Sequence, residues 1–125
     1  MKIKTIEEER VTFDDGSVLE SYHETDCCEY HYLDFNLLKN YNVSTKTGKT
    51  INIYEQEFDF SNGVTFKRVD KVGILLFDVD ENGYLINGYG VNNGYYSDEI
   101  ILVYKNGKEE HRYDVTECQK VDYPD

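Results

Sequence analysis

Asn-Gly and Asp-Gly pairs punctuate this chain at Asp15-Gly16, Asn62-Gly63, Asn82-Gly83, Asn93-Gly94 and Asn106-Gly107. Such pairs tolerate the positive φ that tight hairpin turns demand. The segments between them are rich in Val, Ile, Thr, Tyr and Phe, which suit a pleated, half-buried surface. The pattern predicts a mainly β protein. It is an antiparallel sheet of about seven or eight short strands curled into a sandwich or partial barrel, with at most one or two short helical turns.

The strands can be placed in order. Ile3 to Phe13 reads as one strand, turning at Asp14-Asp15-Gly16 into Ser17 to Glu24. Glu29 to Phe35 follows, then a helical turn around Asn36 to Tyr41 and a loop from Asn42 to Lys49. Thr50 to Phe60 and Val64 to Val69 are expected to pair across Asn62-Gly63. Ile74 to Val79 pairs with Tyr84 to Tyr89 across Asn82-Gly83, and Tyr95 to Tyr104 with Lys108 to Glu117 across Asn106-Gly107. The single proline, Pro124, interrupts none of them. A chain of 125 residues without repeat or linker reads as one β-rich domain over 1–125. Twelve Tyr and six Phe supply an aromatic core, each ring able to remove ~150–250 Å² from water.

Thirteen basic residues stand against twenty-five acidic ones, a net charge of −12. A surface so negative repels phosphate backbones, which argues against ordinary nucleic-acid binding and favours basic partners. The carboxylates either solvate the surface or form a face that imitates nucleic acid. No apolar run nears the ~20 residues that cross a bilayer. The first ten residues lead into no apolar signal segment. Three cysteines, an odd number, do not suggest a secreted disulfide framework. These features point to the cytoplasm.

Two stretches concentrate chemistry. The first is His23-Glu24-Thr25-Asp26-Cys27-Cys28-Glu29-Tyr30-His31. Two His and two Cys invite a zinc reading, but adjacent side chains on an extended chain point to opposite faces. A structural corner and a ligand contact through His23, Asp26 or Glu29 stay open beside it. A Cys nucleophile is disfavoured because Asp26 and Glu29 flank the thiols and raise their pKa. The second stretch is Asn87-Gly88-Tyr89-Gly90-Val91-Asn92-Asn93-Gly94-Tyr95-Tyr96-Ser97. Its Gly residues allow close backbone approach, Asn92 and Asn93 offer donor and acceptor, and Tyr95 and Tyr96 offer stacking faces. It suits recognition of a flat polar group, and equally an aromatic hairpin that only turns. It lacks the order of a phosphate loop.

With His-x-x-Asp-Cys-Cys-Glu at 23–29 and Asn-Gly-Tyr-Tyr-Ser at 93–97, the chain resembles a family of small phage and prophage proteins of uncharacterised function. The resemblance implies a phage origin and no particular reaction; for a phage-encoded protein the cytoplasm would be that of the host cell. A small accessory protein of a phage is expected to be a non-enzymatic, anti-defence binder. In one version it sequesters a small nucleotide-type immune signal in a pocket at a homo-oligomer interface, which the tyrosine-rich strands can supply. Tyr95 or Tyr96 then stacks on a base, Asn92 and Asn93 read its edge, His23 lies nearby, and Lys67 and Arg68, with Lys71, supply cations for phosphate. In the other version the acidic surface docks on a basic groove of a host nuclease or sensor. No metal, cofactor, direct nucleic acid or membrane is expected in either; an enzyme and a virion component are further alternatives.

Overall fold

The computed structural model describes residues 1–22, 30–91 and 99–122. In chain order its strands are β1 (Ile3–Ile6), β2 (Arg10–Phe13), β3 (Val18–Tyr22), β4 (Tyr30–Leu33), β5 (Phe66–Val69), β6 (Gly73–Phe77), β7 (Gly83–Val91), β8 (Ile101–Asn106), β9 (Glu109–Asp114) and β10 (Lys120–Asp122). One sheet has the order β1-β2-β3-β8-β9, and the other β10-β7-β6-β5 with β4 also on β7. Every pairing is antiparallel except that of β10 with β7. The result is a two-sheet sandwich that does not close into a barrel, as the turn pattern predicts. Among the described residues no helix is long and apolar enough to cross a membrane.

Several hairpins fall where the sequence puts them. Gly16 (φ +85°) turns β2 into β3, and Gly107 (φ +60°) turns β8 into β9. Asn36 to Tyr41 was expected as a helical turn, and Phe35–Asn40 is a short 3-10 turn whose Asp34 side chain accepts from Asn36 N. The Asn82-Gly83 hairpin forms between β6 and β7. There, however, the left-handed residue is Glu81 (φ 66°) and not the glycine.

Three expectations are overturned. Ile3 to Phe13 is not one strand, because Glu7 and Arg10 exchange backbone hydrogen bonds (2.8 and 3.5 Å) and fold β1 onto β2. Ile3, Ile6, Val11 and Phe13 are all buried, and no single strand of period two can turn all four to one face. A fold-back with a register shift between Ile3 and Thr5 does so.

Thr50 to Phe60 is not a strand either. It carries a 3-10 turn at Ile53–Glu55 and sends Ile53, Phe58 and Phe60 into the core. Consequently the expected hairpin across Asn62-Gly63 is absent. Gly63 (φ +104°) only closes a tight turn, donating to Phe60 O at 3.0 Å. β5 pairs instead with β6, Phe66 opposite Leu76.

Aromatic rings join the layers. Phe13 of the first sheet lies 5.8 Å from Phe58 and 5.7 Å from Phe60 between ring centroids. Phe58 in turn lies 6.0 Å from Tyr84 of the second sheet. The irregular segment thus fills the space between the sheets and does not extend either of them.

β7 organises the second sheet. Along 83–87 one edge pairs with β6; on the opposite edge the Tyr41 hydroxyl accepts from Leu85 N (2.7 Å) and donates to Leu85 O (3.1 Å). Along 89–91 β7 lies between β4 and β10, since both pair with those residues. On the far side β5 meets β9 through side chains. Val64 N donates to the Tyr113 hydroxyl at 2.9 Å, and Arg68 Nε to Asp114 O at 3.2 Å.

Candidate functional site

Both chemistry-bearing stretches spring from one end of the sandwich. The connection holding 23–29 leaves the first sheet at Tyr22 and enters the second at Tyr30. The connection holding 92–98 leaves the second sheet at Val91 and returns to the first at β8. Tyr22 pairs with Ile101 and Tyr30 with Val91, so the two connections begin and end at partnered positions. The candidate residues His23, Asp26, Glu29, Asn92, Asn93, Tyr95 and Tyr96 themselves lie outside the described residues, as do Cys27 and Cys28.

The described parts of these stretches have structural tasks. A Cβ on Gly88 would overlap Cys118 O and stand 3.1 Å from Gln119 Cα. A Cβ on Gly90 would overlap His31 Nδ1 and Gln119 Oε1. These glycines admit the segment leading into β10. Asn87-Gly88 is therefore an Asn-Gly pair in mid-strand that turns nothing. His31 is buried, and its Nδ1 lies 2.6 Å from Gln119 Oε1. Gln119 Nε2 donates to Thr116 O at 2.8 Å. That bond orients the amide, so Nδ1 carries the proton and donates. Tyr89 is half-buried, its ring 5.8 Å from that of Tyr32.

Lys67 and Arg68 are neighbours on β5. As successive residues of β5 they face opposite sides of the sheet. Arg68 lines a cleft of about 480 Å³ with Glu99, Asp114, Val115, Thr116, Glu117 and Cys118. Its guanidinium stacks over the Phe66 ring, 5.1 Å from the centroid. Three carboxylates share the cleft with this one cation. Asp114 is held below the usual carboxylate range by the Thr116 hydroxyl and backbone N–H. Cys118 is fully buried, and burial pushes its thiol pKa up, which is wrong for a nucleophile.

A buried polar knot lies in the β6–β7 turn. Asp78 Oδ1 accepts from Asp80 N (2.9 Å) and Asn82 N (3.0 Å). Its Oδ2 accepts from Asn82 Nδ2 (2.9 Å) and the Tyr84 hydroxyl (2.6 Å). The Ser44 hydroxyl bonds Asn82 Oδ1 in turn. Four donors occupy the carboxylate, so it pins the turn. Among the described residues no group of three or more His, Cys, Asp or Glu could hold a metal ion.

The opposite end of the sandwich gathers negative charge. β3 and β8 are antiparallel neighbours, which sets the Asp14-Asp15 turn beside the Asn106-Gly107 turn. A cleft of about 300 Å³ there is lined by Met1, Asp15, Glu57, Phe58, Asp59, Phe60, Ser61, Val79, Tyr104 and Asn106, with no Lys or Arg among them. The Met1 amino group lies against Glu57. Burial raises the Tyr104 pKa, and Asp15, Asp59 and Glu109 push it further up by their charge against a lowering bond to Ser17. Asp15 stays ionised through its bonds from Ser17, which outweigh its own burial. This convergence was not legible in the sequence, because Asp59 arrives on a segment expected to be a strand.

The sequence profile of a family described as a domain of unknown function, DUF7448, matches residues 1–102. The chain belongs to this family. The match ends inside β8, so β9 and β10 complete the two sheets beyond it. No curated protein and no solved structure matches the chain.

Proposed function

We propose that the protein is a non-enzymatic inhibitor that docks through its carboxylate-rich end on the basic groove of a partner that handles nucleic acid. The observation that carries this reading is the cleft that Asp15, Glu57 and Asp59 share beside Tyr104, lined by no Lys or Arg and with the Met1 amino group as its one cation, against Glu57. Carboxylates held on several rigid turns present fixed charges, which steer a positive surface into register and exclude its ordinary polyanion. The motif resemblance to phage and prophage proteins gives the biological setting: an anti-defence protein whose partner is a host nuclease or nucleic-acid sensor. Binding and not catalysis is favoured by the polar groups of the interior. Asp78 is saturated with donors, His31 is engaged with Gln119, and the Cys118 thiol is buried.

The test is inhibition of a panel of purified bacterial nucleases, with duplex DNA as competitor. Inhibition should be competitive with DNA and weaken steeply with salt, since it rests on exposed charge. A variant carrying Asp15→Asn, Asp59→Asn and Glu109→Gln should fold and lose it. Equal inhibition by that variant, or no inhibition of any nuclease at low salt, rejects the reading.

A second reading is favoured by a different observation, the partnered flanks Tyr22–Ile101 and Tyr30–Val91. It has the two motif-bearing connections capture a small nucleotide-type signal, with His23, Asp26, Glu29, Asn92, Asn93, Tyr95 and Tyr96 as contacts. A cyclic dinucleotide at ~100 times its dissociation constant would add about 2.7 kcal/mol to stability. A melting temperature unmoved by linear and cyclic nucleotides removes this reading and leaves the first intact.

A further inference from the structure

The described chain contains four Asn-Gly pairs, at 62–63, 82–83, 87–88 and 106–107. The fold treats one of them differently. Gly63 N donates to Phe60 O at 3.0 Å, Gly88 N to Val72 O at 2.8 Å, and Gly83 N to the Thr45 hydroxyl at 2.8 Å. The Asn82 side chain is also buried and bonded to Asp78 and Ser44, and that of Asn87 donates to the Tyr89 hydroxyl at 3.0 Å. Asn106 and Gly107 are both exposed, and a Cβ on Gly107 would meet nothing within 4 Å. Gly107 has φ +60° while Lys108 is not left-handed. In such a turn the first central N–H points to solvent and takes no part in the ladder.

We propose that Asn106 is a site of spontaneous covalent modification, ring-closing on Gly107 and reopening as a new carboxylate. The Gly107 backbone nitrogen, once deprotonated by water or hydroxide, attacks Asn106 Cγ. The new C–N bond forms as the carboxamide C–N bond breaks, and ammonia leaves with the proton. Water then opens the succinimide at either carbonyl, giving aspartate or its isoaspartyl isomer. At 63, 83 and 88 the attacking N–H is tied up in a hydrogen bond that must first break. Asn106 lines the acidic cleft with Asp15 and Asp59, so the product adds a charge to that end. That consequence leans on the docking reading, whereas the chemistry depends on the hairpin alone.

The test is a peptide map of the native protein after incubation at mildly alkaline pH, with isoaspartyl content read by enzymatic methylation. Modification at Asn106 should exceed that at Asn62, Asn82 and Asn87 by roughly two- to tenfold, the factor one net hydrogen bond supplies. In urea the four sites should converge. Native modification at any of the other three as fast as at Asn106 overturns the proposal. So does an Asn106 that reacts in urea and stays intact when folded. Neither outcome bears on nuclease inhibition, which is read separately.

Discussion

Replacing Gly90 by alanine tests how the second sheet holds its last strand. Gly90 is not left-handed, so the backbone accepts alanine and the effect is steric alone. The added methyl would overlap His31 Nδ1 and Gln119 Oε1 and lie 2.7 Å from His31 Cε1. Both residues are buried, and the Gln119 amide, though it ends a long side chain, is held by its bonds to His31 and Thr116 O. Overpacking of this kind costs about 1–3 kcal/mol. Losing the His31–Gln119 hydrogen bond adds about 0.5–1.5 kcal/mol. The expected loss is therefore about 2–4 kcal/mol, a large part of the ~5–15 kcal/mol that holds a domain folded. At ~3–5 °C per kcal/mol for a chain of this size, thermal melts followed by circular dichroism should fall by about 10 °C. Urea titration should show the same loss with an unchanged slope. Gly16→Ala is the control: its Cβ meets nothing within 4 Å at φ +85°, so it pays only the left-handed penalty of about 1–2 kcal/mol. Combining Gly90→Ala with Gln119→Ala removes one of the overlapped atoms, and the two should be non-additive by about 1 kcal/mol. A Gly90→Ala protein as stable as the wild type, or strictly additive with Gln119→Ala, refutes the reasoning.

Other consequences concern the polar knot, acid stability and the buried thiol. Tyr84→Phe should cost about 1–3 kcal/mol by urea titration, because it removes one of the donors to buried Asp78 and leaves a lone pair unmet; a neutral result would mean that water replaces the hydroxyl. Acid should destabilise the protein in a defined window. Burial alone would raise the Glu20 pKa, but hydrogen bonds from Lys105 and Arg10 hold it below the ordinary value of 4.5. Ser17 and Thr116 do the same for Asp15 and Asp114. A depressed folded pKa contributes stability that is present above the unfolded value and lost as pH falls through the folded one. The urea midpoint should thus hold from neutrality downward and drop below about pH 4, less so in Glu20→Gln; a decline beginning above pH 6 contradicts the assignment. Finally, Cys118 is fully buried and its thiol pKa is raised. Peptide mapping should find it alkylated only as fast as the protein unfolds, and faster labelling would mean local opening around β10.

Local chemistry reads well from the chain wherever a structural choice is local. Gly16 and Gly107 supply a left-handed residue at two-stranded turns, so those hairpins are visible without coordinates. The helical turn around Asn36 to Tyr41, with Leu37 and Leu38, is likewise visible, and the structure has it at Phe35–Asn40. Where the choice depends on distant partners the same signals mislead. Asn62-Gly63 is expected to turn a hairpin and closes only a tight turn, because Phe58 and Phe60 go to the core and β5 pairs with β6. Lys67 and Arg68 look like a cation pair until strand geometry sets them on opposite faces.

Composition and turn spacing were enough to establish an all-β domain with an aromatic interior and an anionic exterior, since hairpin turns and strand periodicity act over a few residues. The tertiary arrangement alone could establish that Thr50 to Phe60 plugs the space between sheets, that β10 lies parallel on β7, and that Asp15, Glu57 and Asp59 line one cleft. The physical reason is one of range. Core filling and charge convergence are sums over residues far apart in the chain, so the same local segment can serve as strand, plug or edge depending on which partners reach it first.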